Sequence, residues 1–341
     1  MTSEVKKLST EPYKGVRDFY PEDMAVQNYI FGVWRKVAEE FCYQEYAASL
    51  LEPAELYRTK GSEEIVNEQM FTFTDRGGRE VALRPEMTPS FARMIAARRK
   101  SLKFPLRWYT IANCFRYERP QRGRKREHWQ LNADVMGVAG VDAEVEIISL
   151  AHAIMKALGA KDEDFGVKIG HKDLFRIFLE TILLVDKEST RKILRIVDRR
   201  EKLSENEYEE ELRKVTREDV VQQIIRGPKS FIDENSELTK VVASLMSVTK
   251  KLKQGDEKKG WAPVKNVVID YYLTRGFDYY TGMVFEVFDT NQANRRSLFG
   301  GGRYDNLLEL FGAEPVPTVG FGMGDVTIRD FLETHHLPMK N

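Results

Sequence analysis

The chain has 341 residues, enough for two domains or for one large domain carrying an insertion. Hydrophobic residues make up 42% and charged residues 31%, which excludes a disordered chain. Lys+Arg and Asp+Glu number 53 each, for a formal charge of +0, so any affinity for phosphate or nucleic acid has to come from a local basic cluster. Cys42 and Cys114 have neither metal-ligand spacing nor a disulfide framework and read as small apolar core residues in a reducing compartment. MTSEVKKLSTEPYKG, at the N-terminus, lacks the apolar stretch of a secretory signal. No run approaches the ~20 apolar residues of a spanning helix. The expectation is a cytoplasmic protein without a membrane segment.

Pro21-Glu22-Asp23 suits a helix start, and Ile30, Val33, Trp34, Val37 and Phe41 continue at helical spacing, which predicts a helix over 21–42. Tyr46 to Leu51 reads as a strand stopped by Pro53. MFTFTD and REVAL flank Arg76-Gly77-Gly78 as a hairpin, and a helix follows Pro89. Strands are predicted at 105–118 and 128–138, joined by a very basic loop, then a helix at 142–158 and a strand at 165–169. From His171 to about Lys259 the chain is charged and helical in period, with Ser204 and Glu207 spaced as a capping box. KKLKQGDEKKG (250–260) reads as a turn or linker, and strand character resumes from Val264 to Val287. The pattern is α+β: an antiparallel sheet flanked by helices and interrupted by a helical insertion. It divides as 1–170, 171–260 and 261–341.

Four segments carry possible chemistry. FRYERPQRGRKREHWQ (115–130) packs Arg116, Arg119, Arg122, Arg124, Lys125 and Arg126 into eleven positions. Guanidinium forks bind phosphate bidentately, so the loop reads either as a polyphosphate or RNA site or as a solvated basic hairpin. In LRPEMT (83–88), Glu86 and Thr88 either receive an ammonium group or simply start a helix. In TRGFDYYTGMVFEV (274–287), Arg275 lies near Tyr279 and Tyr280 and awaits an anion, either a phosphate or a structural carboxylate. FGGGRYDN (299–306) lets the backbone approach a ligand beside Tyr304 or forms a strand bulge. It matches neither a dinucleotide nor a P-loop fingerprint. A further stretch, PTVGFGMGDVTIRDFL (317–332), runs from a small-residue strand into a helix. The five histidines at 128, 152, 171, 335 and 336 are not grouped as metal ligands, and no metal site is expected.

Taken together, and from GVRDFYPEDM (15–24) onward, these segments resemble a histidyl-tRNA synthetase. The helix and strand ending at Pro53 resemble class II motif 1, a dimer element; FRYERPQRGR resembles motif 2 and 317–332 motif 3. LRPEMT and RGFDYYTG resemble the two histidine-specific signatures. The resemblance implies a class II catalytic core, a homodimer, and histidine, ATP (as its Mg²⁺ complex) and tRNA(His) as substrates. Arg116 would hold the α-phosphate and the histidine carboxylate, with Arg275 acting from the opposite side as the second catalytic arginine. Glu86 and Thr88 would bind the α-ammonium group, and Gln130 would lie along the carboxylate. Asp134 and Tyr280 would hydrogen-bond the imidazole, with Tyr279 and Tyr304 shaping its pocket.

Met87 replaces a common glycine, and Asp134 is one methylene shorter than the glutamate of many bacterial relatives. The arginine expected in motif 3 is displaced by two residues, to Arg329, which turns it about 200° around a helix. Arg124 or Arg126 is expected to serve ATP instead. The chain stops at Asn341, and the expectation is a core without the family's C-terminal anticodon-binding domain. Two rival readings are the regulatory subunit of ATP phosphoribosyltransferase, a non-catalytic paralogue, and a pseudo-synthetase that binds tRNA. Both phosphate arginines argue against the regulator.

Overall fold

Helix α1 (Pro21–Glu40) begins with a proline in its first turn, where a missing N–H costs nothing, and with Glu22 and Asp23 at the positive end of its dipole. Ile30, Trp34 and Val37 form its buried face. In this computed structural model residues 8–59, 65–200, 203–273, 279–294 and 297–340 are described. The helix is closed by Cys42 in a left-handed conformation (φ 63°), whose N–H bonds back to the Glu39 carbonyl at 2.8 Å. That turn corrects the expectation for the cysteines. Cys114 is buried, but Cys42 caps a helix end at the surface and is exposed.

The strand expected over 46–51 is not formed: 46–50 link two short strands in different sheets, β1 (Gln44–Glu45) and β2 (Leu51–Pro53). Pro53 is tolerated because β2 is an edge strand. β2 joins β3 (Phe71–Thr74) and β4 (Glu80–Leu83) in a small antiparallel sheet, with Gly78 at φ 77° in the hairpin. Short helix α2 (Glu55–Arg58) and α3 (Thr88–Arg98) flank it.

The main sheet adds β5 (Leu106–Phe115), β6 (Glu127–Met136), β7 (Phe165–His171), β8 (Val267–Ile269), β9 (Met283–Asp289), β10 (Ser297–Arg303) and β11 (Thr318–Gly324). Among the described residues its order is β1-β5-β6-β11-β10-β9-β7-β8. The six central strands are antiparallel, and only the two outermost pairs run parallel. The strand expected through 264–287 is thus β8 and β9, lying on either side of β7.

The two-residue period of a strand decides the rest. On β11, Val319, Phe321 and Met323 enter one core with α1, α4 (Asp142–Ala157) and α10 (Asp325–Thr334). The alternate positions, Gly320 and Gly322, face the other side. There β6 presents Gln130, Asn132 and Asp134, and α3 closes a second core with Tyr46, Tyr279, Tyr280 and Tyr304.

Helices α5 (Leu174–Ile177), α6 (Lys187–Asp198), α7 (Glu205–Arg213) and α8 (Glu218–Arg226) build a third core around Phe178, Ile193, Val197, Leu212 and Ile224. The Ser204–Glu207 capping box is formed. Helix α9 (Ser236–Gln254) runs into the stretch expected as a linker and stops only at Gly255 (φ 69°). Among the described residues no helix is long and apolar enough to cross a membrane.

Candidate active site

Asp134 and Tyr304 meet on the glycine-bearing face. The Tyr304 hydroxyl donates to Asp134 Oδ1 in a short hydrogen bond, and both residues are buried. A Cβ on Gly320 would stand 2.0 Å from that carboxylate oxygen and 2.8 Å from the phenol oxygen. Gln130 lies over Gly322 in the same way, its Nε2 2.1 Å from where a Cβ would be. Alternate glycines on β11 therefore make a floor that polar side chains of β6 cross. Burial pushes the Asp134 carboxyl up to about 7, and the Tyr304 donor opposes that rise.

Glu86 lies in the segment between β4 and α3, 3% exposed. Its Oε2 accepts from the Tyr279 hydroxyl at 3.1 Å, and Thr88, at the start of α3, also acts on that phenol. Burial pushes this carboxyl up to about 7, against the pull of the Arg116 charge and the Tyr279 bond. Arg116 directly follows β5 and donates through Nε to the Pro85 carbonyl at 3.0 Å, close enough for its charge to act on Glu86. The Tyr279 ring packs edge to face with Tyr280 and Tyr304, with centroids 5.1 and 5.6 Å apart, and Tyr280 lies tilted against Tyr304 at 6.3 Å.

Among the described residues, Glu86 Oε1, Gln130 Oε1 and the Tyr46 hydroxyl are buried on this face without a hydrogen-bond partner. Leaving such atoms unpaired costs about 1–3 kcal/mol each, so the face is built to receive polar groups. Chemically, the carboxylates of Glu86 and Asp134 can accept from a cation or an N–H donor, and the guanidinium of Arg116 can pair with an anion. A zwitterion with a ring N–H fits that arrangement.

Other expected residues are placed differently. Arg126 stacks on Tyr117 at 3.8 Å and donates to the Glu118 carbonyl and the Tyr13 hydroxyl, so packing and loop geometry occupy much of its guanidinium. Arg124 is exposed, 3.7 Å from Glu118. Arg122 holds the basic loop to α10 through Asp330 at 2.7 Å. Arg329 bonds Asp23 and Glu333, on the α1 side. Arg275 lies outside the described residues.

Two features were not foreseen. Arg17 pairs with buried Asp325 at 2.8 Å, and Asp325 also accepts the Trp129 N–H, so the N-terminal segment, β6 and α10 are tied at one point. Arg84 is a buried strut that donates to the carbonyls of Asn113 and Ala48. A cleft of about 530 Å³ between Leu183–Ser189 and Arg213–Val220 belongs to the helical segment and shares no residue with this face.

An antiparallel sheet backed by helices, with an arginine at the end of one strand and a glycine-lined face beside it, is the catalytic-domain fold of the class II aminoacyl-tRNA synthetases. The family model for histidyl-tRNA synthetase matches residues 15–326, and the chain belongs to that family. A histidine–tRNA ligase of Leptospira biflexa is 43% identical over 334 residues, which cover 97% of this chain and 76% of that protein. The crystal structure of histidyl-tRNA synthetase from Nostoc sp. PCC 7120 superposes with a TM-score of 0.81 at 22% identity, covering 98% of this chain and 78% of that one. A structure described as an ATP phosphoribosyltransferase regulatory subunit/histidyl-tRNA synthetase from Bacillus halodurans gives 0.78 at 25% identity, covering 95% and 84%.

Proposed function

We propose that this chain is a histidine–tRNA ligase that activates histidine with ATP and transfers it to tRNA(His). The observation that carries this reading is the set of unpaired buried atoms on the glycine-lined face, with the Glu86 and Asp134 carboxyls buried there and Arg116 bonded to the Pro85 carbonyl next to Glu86. Glu86, with Thr88 behind it, takes the α-ammonium group. Asp134 and Tyr280 take the imidazole, Tyr279 and Tyr304 shape its walls, and Gln130 runs beside the carboxylate. A polar match of this kind rejects analogues lacking the ring N–H by about 10⁴-fold.

In the first step a histidine carboxylate oxygen attacks the α-phosphorus of ATP. The bond to the β-phosphate breaks, and pyrophosphate leaves with its electron pair. Charge builds on the α-phosphoryl oxygens, where Arg116 and, by the family resemblance, Arg275 would stabilise it. ATP enters as its Mg²⁺ complex, with Arg124 and Arg126 near its outer phosphates; Arg124 is the freer of the two. In the second step the terminal ribose hydroxyl of tRNA attacks the activated carbonyl and AMP departs. We further assign 171–260 as an insertion domain between core segments 1–170 and 261–341, a homodimer as the working form, and the cytoplasm as its location.

Exchange of labelled pyrophosphate into ATP tests this reading. Exchange is expected with histidine and absent without it, and Arg275→Ala is expected to abolish exchange while histidine still binds. A folded protein that binds histidine without exchange would favour the regulatory-subunit reading. An unaffected Arg275→Ala variant would remove that residue from the transition state.

A further inference from the structure

Tyr46 directly follows β1. Its N–H reaches the Tyr109 carbonyl at 2.8 Å, and its ring packs against Phe91 and Trp108 with centroids 5.6 and 5.7 Å away. Trp108 is the cross-strand partner of Asp134, which places the phenol on the site face in one cluster with Tyr279, Tyr280 and Tyr304. The residue is 9% exposed, and its hydroxyl has no partner. Packing explains the ring but not the oxygen, because a phenylalanine would fill the same space without a buried orphan.

Its surroundings narrow the choice of partner. After burial, the influence that most raises the Tyr46 phenol is the Asp134 carboxylate, and the same hydroxyl acts in turn on Tyr304. Arg84, the cation nearby, already donates to backbone carbonyls, and Cys114 is a weak acceptor. Tyr304 fixes one oxygen of Asp134. One hydrogen bond leaves a short carboxylate free to pivot, and a pivoting acceptor does not define where a ring N–H must lie.

We propose that Tyr46 is a positioning residue for histidine specificity, its hydroxyl donating to the Asp134 carboxylate when an imidazole is bound and so fixing the edge that receives the ring N–H. This rests on the histidine-binding part of the proposed function and not on its catalytic part. Tyr46 then reads the substrate through Asp134, while Tyr304 holds the same carboxylate from the other side.

Tyr46→Phe removes the oxygen alone. Calorimetric titration with histidine should show about a tenfold weaker Kd than the unmodified protein, the size expected for losing a hydrogen bond to a charged group. Discrimination between histidine and ring-N-methylated histidine should narrow, the melting temperature of the ligand-free protein should rise, because a buried orphan hydroxyl is removed, and the KM for ATP should stay unchanged. A histidine Kd within twofold of the parent protein overturns the proposal, as does a parallel loss of ATP affinity or of stability, which would mark a merely structural tyrosine. Pyrophosphate exchange by the unmodified protein is scored separately, so a failed exchange sinks the catalytic reading and leaves the binding comparison decisive.

Discussion

The Tyr304 hydroxyl reaches the Asp134 carboxylate across the bare backbone of Gly320. A methyl group there would overlap both oxygens, so the bond exists only because position 320 lacks a Cβ. Gly320→Ala is expected to weaken histidine binding at least tenfold and to cost about 1–3 kcal/mol of stability by overpacking. Gly32→Ala is the contrasting change: the position is exposed on α1 with nothing within 4 Å, and stability should rise by about 0.5–1 kcal/mol. Urea unfolding of both variants checks the pair, and a harmless Gly320→Ala would contradict the account.

Histidine affinity should depend on pH through two carboxyls. Glu86 and Asp134 are each pushed up to about 7 by burial, and each must be ionised to accept an ammonium or a ring N–H. Affinity is therefore expected to rise as pH increases through about 7 and to level off above it, with proton release on binding near neutrality. Titration calorimetry in buffers of different ionisation heat measures both. A flat affinity between pH 6 and 8 would rule out this electrostatic picture.

The same burial has a consequence for stability. A carboxyl raised from 4.5 to about 7 binds its proton more tightly when folded, so its ionisation opposes folding above pH 4.5, with the full cost present above pH 7. Glu86→Gln should stabilise the ligand-free protein at pH 8 by about 1–3 kcal/mol, with the difference fading toward pH 4.5, while histidine binding is lost. Melting curves at the two pH values decide it; a variant less stable than its parent at pH 8 contradicts the assignment.

Arg17 and Asp325 form a pair in which only 5% of the aspartate side chain is exposed. Burial still leaves the Asp325 carboxyl raised despite the guanidinium, so the partner compensates only part of the desolvation. Arg17→Ala should cost about 3 kcal/mol by stranding that charge. Asp325→Asn should cost less, because an amide oxygen keeps the Trp129 N–H satisfied. Equal losses from the two variants would mean that the charge itself is unimportant.

Much of this was legible in the residues. Helices α1, α3 and α4 follow from their apolar spacing, and the 71–83 hairpin from its glycines. The glycine run at 300–302 left two readings open, since a strand of glycines has no pattern of its own; it is β10, between β9 and β11. That 46–50 is a link between two sheets was hidden because its residues suit a strand, whereas the change of sheet is set by partners distant in sequence. Tyr46 and Arg17 escaped notice for the same reason. Their meaning lies in Asp134 and Asp325, which only the folded sheet brings near.

A structure of the protein with histidine bound tests most directly whether one pocket reads both ends of the amino acid. The account predicts the α-ammonium group on Glu86, the carboxylate toward Arg116 and Gln130, and the ring N–H on Asp134 above Gly320. Histidine lying reversed, or bound away from the glycine-lined face, would contradict it.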